Sequence, residues 1–208
     1  MRGGKNLSHS ALNGSKRGKI MIEIMIRSFM KHLHTATHPD VIALSQHTII
    51  QRKAARAIVI DGDDILLLYT ERYHDYSLPG GGIDEHEDII QGLVRELEEE
   101  TGANNIRQIT PYGIYEEFRP WYRDNVDVMH MISYCYTCKA DRQLGSTRFE
   151  DYEIKNGMQP LWINIHQAIA HNEQTIANSD KKGMSIERET YLLRLIAKDM
   201  LGSVDLSS

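Results

Sequence analysis

The stretch from Ser77 to Gly102 constrains this chain more than any other, because it prescribes a loop, a helix and a stop in fixed order. Pro79 ends any strand before it, and Gly80, Gly81 and Gly82 let the backbone bend sharply or come close to a ligand. From Glu85 to Thr101 the apolar residues Ile89, Ile90, Leu93, Val94 and Leu97 recur at helical spacing, which predicts one buried face. Gly102 stands where a C-terminal glycine ends a helix. On that helix Glu96, Glu99 and Glu100 fall at i, i+3 and i+4, so their carboxylates share an arc of about 100°. Like charges on adjacent turns repel, and the C-terminal end of a helix disfavours anions. A solvated acidic face is one reading. A divalent cation among the carboxylates is the other: hard oxygen donors suit Mg²⁺ or Mn²⁺, with substrate phosphates completing the shell.

The flanking sequence supplies a mixed fold. Thr48 to Ile60 and Ile65 to Tyr73 are β-rich runs around Asp61-Gly62-Asp63-Asp64, a hairpin signal. Strands are expected at Ile106 to Phe118, Val126 to Lys139 and around Leu161-Trp162-Ile163, with a polar loop from Ala140 to Met158. Asn164 can cap a short helix through Ala170, Ser185 to Leu201 reads as a closing helix, and Ile20 to His34 as an amphipathic one. Without regular βαβ alternation or an internal repeat, the class is α+β, or α/β/α if helices cover both faces.

The 208 residues suffice for one domain with a real core. Ile20 to Met30, interrupted by Glu23 and Arg27, is too short to cross a bilayer and too broken for a secretory signal, so a cytoplasmic protein without a membrane partner is expected. Cys135 and Cys138 form a C-x-x-C, but positions three apart on a strand face opposite sides and no second cysteine pair exists, so a metal or redox motif is not expected. Spacings of two and four make His32, His34 and His38 surface histidines rather than a metal cluster. Residues 1–53 carry nine Lys/Arg against two Asp/Glu, a net of +7, and 54–208 carry fifteen against twenty-seven, a net of −12, giving the overall −5. This suggests a flexible basic leader over 1–19, a helix and connection over 20–53, an acidic folded body over 54–201 and a tail over 202–208. An acidic body offers no basic channel for nucleic acid.

Gly81, Glu87, Arg95, Glu96, Leu97, Glu99, Glu100, Gly102 and Ala103 satisfy G-x5-E-x7-R-E-U-x-E-E-x-G-U, where U is a bulky aliphatic residue, with Ala103 smaller than usual. These 23 residues resemble the Nudix box, and the hairpin before it and the strand and helix after it resemble the layout of the same superfamily. The resemblance implies an α/β/α sandwich with a mixed sheet and a Mg²⁺- or Mn²⁺-dependent hydrolase of a nucleoside diphosphate linked to another moiety. It implies Glu96, Glu99, Glu100 and the Gly80 carbonyl as metal ligands, with Glu87 holding metal or positioning Arg95, and Arg95 orienting a glutamate. Gly81 and Gly82 would meet substrate. The base would be Glu96 or Glu99, or a later residue among Glu150, Asp151 and Glu153, with Glu153 preferred; Glu116 and Glu117 are further candidates. Tyr112, Tyr115, Phe118, Trp121 and Tyr122 offer stacking surfaces, and Arg119 or Arg123 could meet a phosphate. Pro120, 17 positions beyond the box, lies near a proline of ADP-ribose hydrolases. The substrate is thus expected to be a nucleoside triphosphate or a nucleotide-sugar such as ADP-ribose. A nucleotide-sensing module without turnover and an RNA 5′-end hydrolase are the rivals, and a homodimer is compatible with the N-terminal helix and exposed aromatics.

Overall fold

A computed structural model describes residues 28–42, 48–84, 86–121, 123 and 125–202. The leader, residues 20–27 of the expected Ile20–His34 helix, Tyr122 and all but the first residue of the tail lie outside it. In chain order the elements are β1 (His32–Thr37), α1 (Pro39–Ile42), β2 (Ile49–Asp61), β3 (Asp64–Thr70), β4 (Asp75–Ser77), α2 (Ile89–Thr101), β5 (Arg107–Pro120), β6 (Val128–Lys139), α3 (Asp151–Lys155), β7 (Met158–Asn164), α4 (Ile165–Asn178) and α5 (Ile186–Leu201).

The mixed sheet runs β1-β5-β6-β2-β3-β4, with β7 also paired to β3. β1 lies parallel to β5 and β2 parallel to β6, while β5 and β6 are antiparallel. β2 and β3 form the expected hairpin, with Gly62 at φ 62° in its turn, and then splay apart after two residue pairs. β3 continues antiparallel to β4 and β7. Alternation along β2 and β6 sends side chains into two cores. Ala55, Ala57, Ile132 and Tyr134 pack against Leu93 and Leu97 of α2. Ile58 and Cys135 pack against Ile165 of α4 and Leu192, Leu193 and Ile196 of α5. Helices therefore cover both faces, as the α/β/α alternative requires. Cys138 belongs to the first core and Cys135 to the second, both as free thiols, so the C-x-x-C is two strand residues facing apart.

Several sequence expectations change. The reading of Ile20 to His34 as a helix fails at its end, because His32 to Thr37 form β1. Pairing with β5 satisfies that backbone, while Leu33 and Ala36 reach the second core and His34 stacks on Tyr191 at 4.7 Å; these tertiary gains outweigh a weak helical periodicity. The folded sheet accordingly includes residues 32–37 and 49–53, which lie ahead of residue 54. The box helix starts at Ile89 rather than Glu85, since Asp88 caps it by accepting from Ile90 N and Gln91 N. The polar loop after β6 contains α3, and the helix capped by Asn164 runs to Asn178.

Candidate active site

The glycine loop is held as an extra strand-like edge on β2. Ala57 N donates to Pro79 O at 2.9 Å, Ala55 N to Gly81 O at 3.1 Å, and Ile83 N to Lys53 O at 3.0 Å. Gly80 has φ 129°, and a Cβ there would lie 2.1 Å from Ala55 O; a Cβ on Gly81 would lie 2.4 Å from Glu96 Oε2. Gly80 is therefore required by packing against the β2 backbone, while a side chain on Gly81 would displace the Glu96 carboxylate. Gly82 has open space and faces a cleft of about 890 Å³ bounded by the loop, α2, the start of β2 and α3.

Six glutamates line this cleft, and four of them, Glu96, Glu99, Glu100 and Glu153, come from two separate helices, α2 and α3. Glu100 is buried at 6% exposure and accepts from Gly80 N at 2.6 Å, tying helix to loop. Burial pushes its carboxyl up to about 8, with Glu96 and Glu153 adding repulsion. Glu96 sits under Gly81 and is likewise raised, first by burial and then by Glu99 and Glu153. Glu153, 5% exposed, arrives on α3, where its carboxylate accepts from Glu150 N at 2.7 Å and from Tyr152 Oη at 3.0 Å. Glu99 faces the same cleft, 3.8 Å from Arg148.

Arg95 organises the cluster. Its Nε and Nη2 donate to the two oxygens of Glu87 at 2.8 and 2.9 Å, and its Nη1 to Glu96 at 2.7 Å and Glu99 at 3.3 Å. The guanidinium is raised above its usual value, chiefly by the Glu87 hydrogen bond, and the Glu87 carboxyl is lowered by the same bond. With its fork so engaged, Arg95 orients carboxylates. On the other side of the loop Arg56 Nη1 donates to the Gly80 carbonyl, so the Gly80 peptide is gripped at both ends.

Among the described residues no three His, Cys, Asp or Glu side chains stand converged as a metal centre, Arg95 holding three of the carboxylates instead. The donor set still fits a hard divalent cation: it is all oxygen, and burial together with mutual repulsion raises Glu96 and Glu100, a cost such an ion would relieve. The cleft gathers Gly81, Gly82, Glu87, Arg95, Glu96, Glu99, Glu100, Glu150 and Glu153, together with Gln51, Arg52, Lys53, His86 and Arg148, which sequence reading missed. Tyr115 is not brought here; it is buried on the opposite face between His34 and Tyr191. Glu116 binds His130 at 2.6 Å, Glu117 binds Arg188 at 2.9 Å, and Arg119 pairs with Glu117 at 3.3 Å, all outside the cleft.

No helix among the described residues is long and apolar enough to cross a membrane. A curated RNA pyrophosphohydrolase from Bartonella quintana is 43% identical over 53 residues, which cover 26% of this chain and 27% of that protein; the match spans about a quarter of the relative. A solved NUDIX hydrolase from Nitrosomonas europaea superposes with a TM-score of 0.50 at 17% identity, covering 72% of this chain and 91% of that one. A MutT NUDIX hydrolase from Burkholderia pseudomallei gives a TM-score of 0.42 at 20% identity over 56% and 85% of the two chains. Nudix hydrolases generally use divalent metals, which suits a cleft lined by six glutamates. The NUDIX domain family model matches residues 50–184, the span that contains the glycine loop, α2 and α3, and the chain therefore belongs to the NUDIX domain family.

Proposed function

We propose that this chain hydrolyses the pyrophosphate linkage of a nucleoside diphosphate joined to another moiety, a nucleoside triphosphate or a nucleotide-sugar such as ADP-ribose, using Mg²⁺ or Mn²⁺. The observation that carries the reading is the meeting of Glu96, Glu99 and Glu100 with the sequence-distant Glu153 beneath an open glycine loop. Glu96, Glu99, Glu100 and the Gly80 carbonyl would hold the metal, which when bound neutralises the closely spaced phosphoryl charges that repel an attacking water. Glu100 and Arg56 fix the Gly80 peptide from its two ends. Arg95 keeps Glu96 and Glu99 aimed into the cleft, and Glu87 keeps Arg95 in place. Gly82, without a side chain, lets the substrate phosphates approach the backbone. Glu153 takes the proton of the water, with Glu96 and Glu99 as the other candidates for that role, and Tyr152 holds the Glu153 carboxylate by donating to it.

A second reading, hydrolysis at the 5′ end of RNA, is favoured by the name of the Bartonella quintana relative over its 53 matched residues. The acidic balance of residues 54–208 weighs toward small nucleotides. Product analysis with Mg²⁺ or Mn²⁺ against nucleoside triphosphates, ADP-ribose, other nucleotide-sugars, dinucleoside polyphosphates and a 5′-triphosphate RNA oligonucleotide, with an EDTA control, decides between them. EDTA-sensitive cleavage of one class is the expected result, and nucleotide binding without cleavage of any would replace the enzyme with a sensor. We further propose a homodimer, which sedimentation of the full chain tests, and a cytoplasmic location, which fractionation of cells producing the full chain tests.

A further inference from the structure

Among the described residues, every buried side-chain nitrogen or oxygen without a hydrogen-bond partner lies on one side of the sheet: Arg56 Nε, Arg119 Nε, Trp121 Nε1 and Ser133 Oγ. Strand alternation puts Arg56, Arg119 and Ser133 on one face, spread along β6 from the level of Met129 to that of Cys135. Arg56 shares its face with Ile58, Ser133 with Cys135 and Arg119 with Tyr115, all members of the core under α4 and α5. The Trp121 ring lies against Arg52, 5.2 Å from its guanidinium, and Arg52 has the same parity as Arg56. All four atoms are donors. Folded proteins satisfy nearly all buried polar groups, so four unmatched donors on one face call for an acceptor-rich ligand.

The charge of this face points the same way, although the chain as a whole carries −5. Arg52, Arg56, Arg119 and Arg188 gather here against Glu117 and Glu189, and Arg188, at 4% exposure, already engages both glutamates at 2.9 and 2.8 Å. Burial and the neighbouring Arg188, Arg56 and Arg52 hold the Arg119 guanidinium below its usual value. Asp75, the remaining carboxyl beside this network, is pushed up to about 7 by burial and by Glu189, which weakens it as a counter-charge. Arg52 is exposed and Trp121 half-buried, so the face is open at its rim.

We propose that Arg56, Arg119 and Ser133, with Trp121 at the rim, form a second anion site that takes a phosphoryl group, separate from the carboxylate cleft. Gly82 bridges Ala54 and Ala54 lies opposite Ser133, so Ser133 stands two strand spacings, about 10 Å, from the glycine loop. That separation suits a phosphate carried across a sugar from the scissile linkage rather than its immediate neighbour. Arg56 touches both sites, donating to the carbonyls of Leu78 and Gly80 while its Nε stays unmatched. The phosphoryl group is either a phosphomonoester of the substrate itself, an assignment that rests on the hydrolase reading above, or free inorganic phosphate.

Calorimetric titration of inorganic phosphate into the full chain in EDTA tests the site, because without metal the carboxylate cleft repels phosphate. Saturable binding is expected, weakened about tenfold or more by Arg119→Gln and several-fold by Ser133→Ala, with circular dichroism checking that each variant folds. No binding, or binding that neither substitution weakens, overturns the proposal. Comparing kcat/KM for ADP-ribose and ADP-ribose 2′-phosphate assigns the source: a preference for the phosphorylated compound that Arg119→Gln abolishes places the group on the substrate, and equal values with phosphate binding intact assign free phosphate. Phosphate binding without turnover of any nucleotide would sink the hydrolase reading and leave this site standing.

Discussion

Arg95 and its carboxylates set the expectations at the scale of single residues. Glu99→Gln or Glu100→Gln should lower turnover about 100-fold or more while far-UV circular dichroism stays native, since each removes an anionic oxygen from the proposed metal cluster; near-normal rates in both would remove that cluster from the mechanism. Arg95→Lys keeps the charge but loses the fork that grips Glu87 through two bonds, so a fall in kcat of about 10- to 100-fold is expected. Rates equal to the parent would show that Glu96 and Glu99 need no such guide. The roles of Arg95 and Glu87 were implied by the resemblance to the Nudix box, whose pattern sets them eight positions apart. Arg56 was not legible. It reads as one polar residue of a half-buried strand until the loop is seen folded back over β2, where Arg56 meets the Gly80 carbonyl.

At the scale of elements, α2 depends on its cap and β4 carries a titrating strand residue. Asp88→Ala removes the acceptor for Ile90 N and Gln91 N and should cost about 1 kcal/mol, read by denaturant unfolding with an unchanged slope. Asp75 lies in β4 at 5% exposure, and its carboxyl is pushed from an ordinary 3.8 up to about 7, first by burial and then by Glu189. The folded state then binds a proton more tightly than the unfolded chain, so this group makes stability fall as pH rises from about 4 to about 7 and contributes no further change above that. Asp75→Asn should abolish that decline and raise the melting temperature relative to the parent at pH 8. Equal melting temperatures at pH 8 would refute the assignment. The strands β2, β5 and β6 were found within two residues because β-branched and aromatic runs announce themselves. α3 was missed, because its five residues have too few apolar positions to show a period.

Across the whole molecule, the N-terminal region divides into parts with different expected tolerances. Removing residues 1–19 should leave small-nucleotide hydrolysis unchanged, whereas removal through residue 38 also deletes β1, uncovers the β5 edge and takes Leu33 from the second core. The longer truncation should melt several degrees lower than the shorter one, and equal melting curves would show that β1 adds nothing. Local signals carry the box: glycines where the backbone crowds, a helical stripe of apolar residues, carboxylates on one arc and a glycine stop all lie within 23 consecutive residues. What lay beyond local signals depended on strand order. Pairing of β1 with β5, the arrival of Glu153 beside Glu96 and Glu100, and the gathering of Arg56, Arg119 and Ser133 on one face join residues far apart in the chain. Periodicity reports which side of an element is buried but not which distant element buries it. The sequence by itself therefore determined the loop, the helix and the chemistry of its carboxylates, and the tertiary structure alone decided which partners met them, because those contacts are set by sheet register and layer packing.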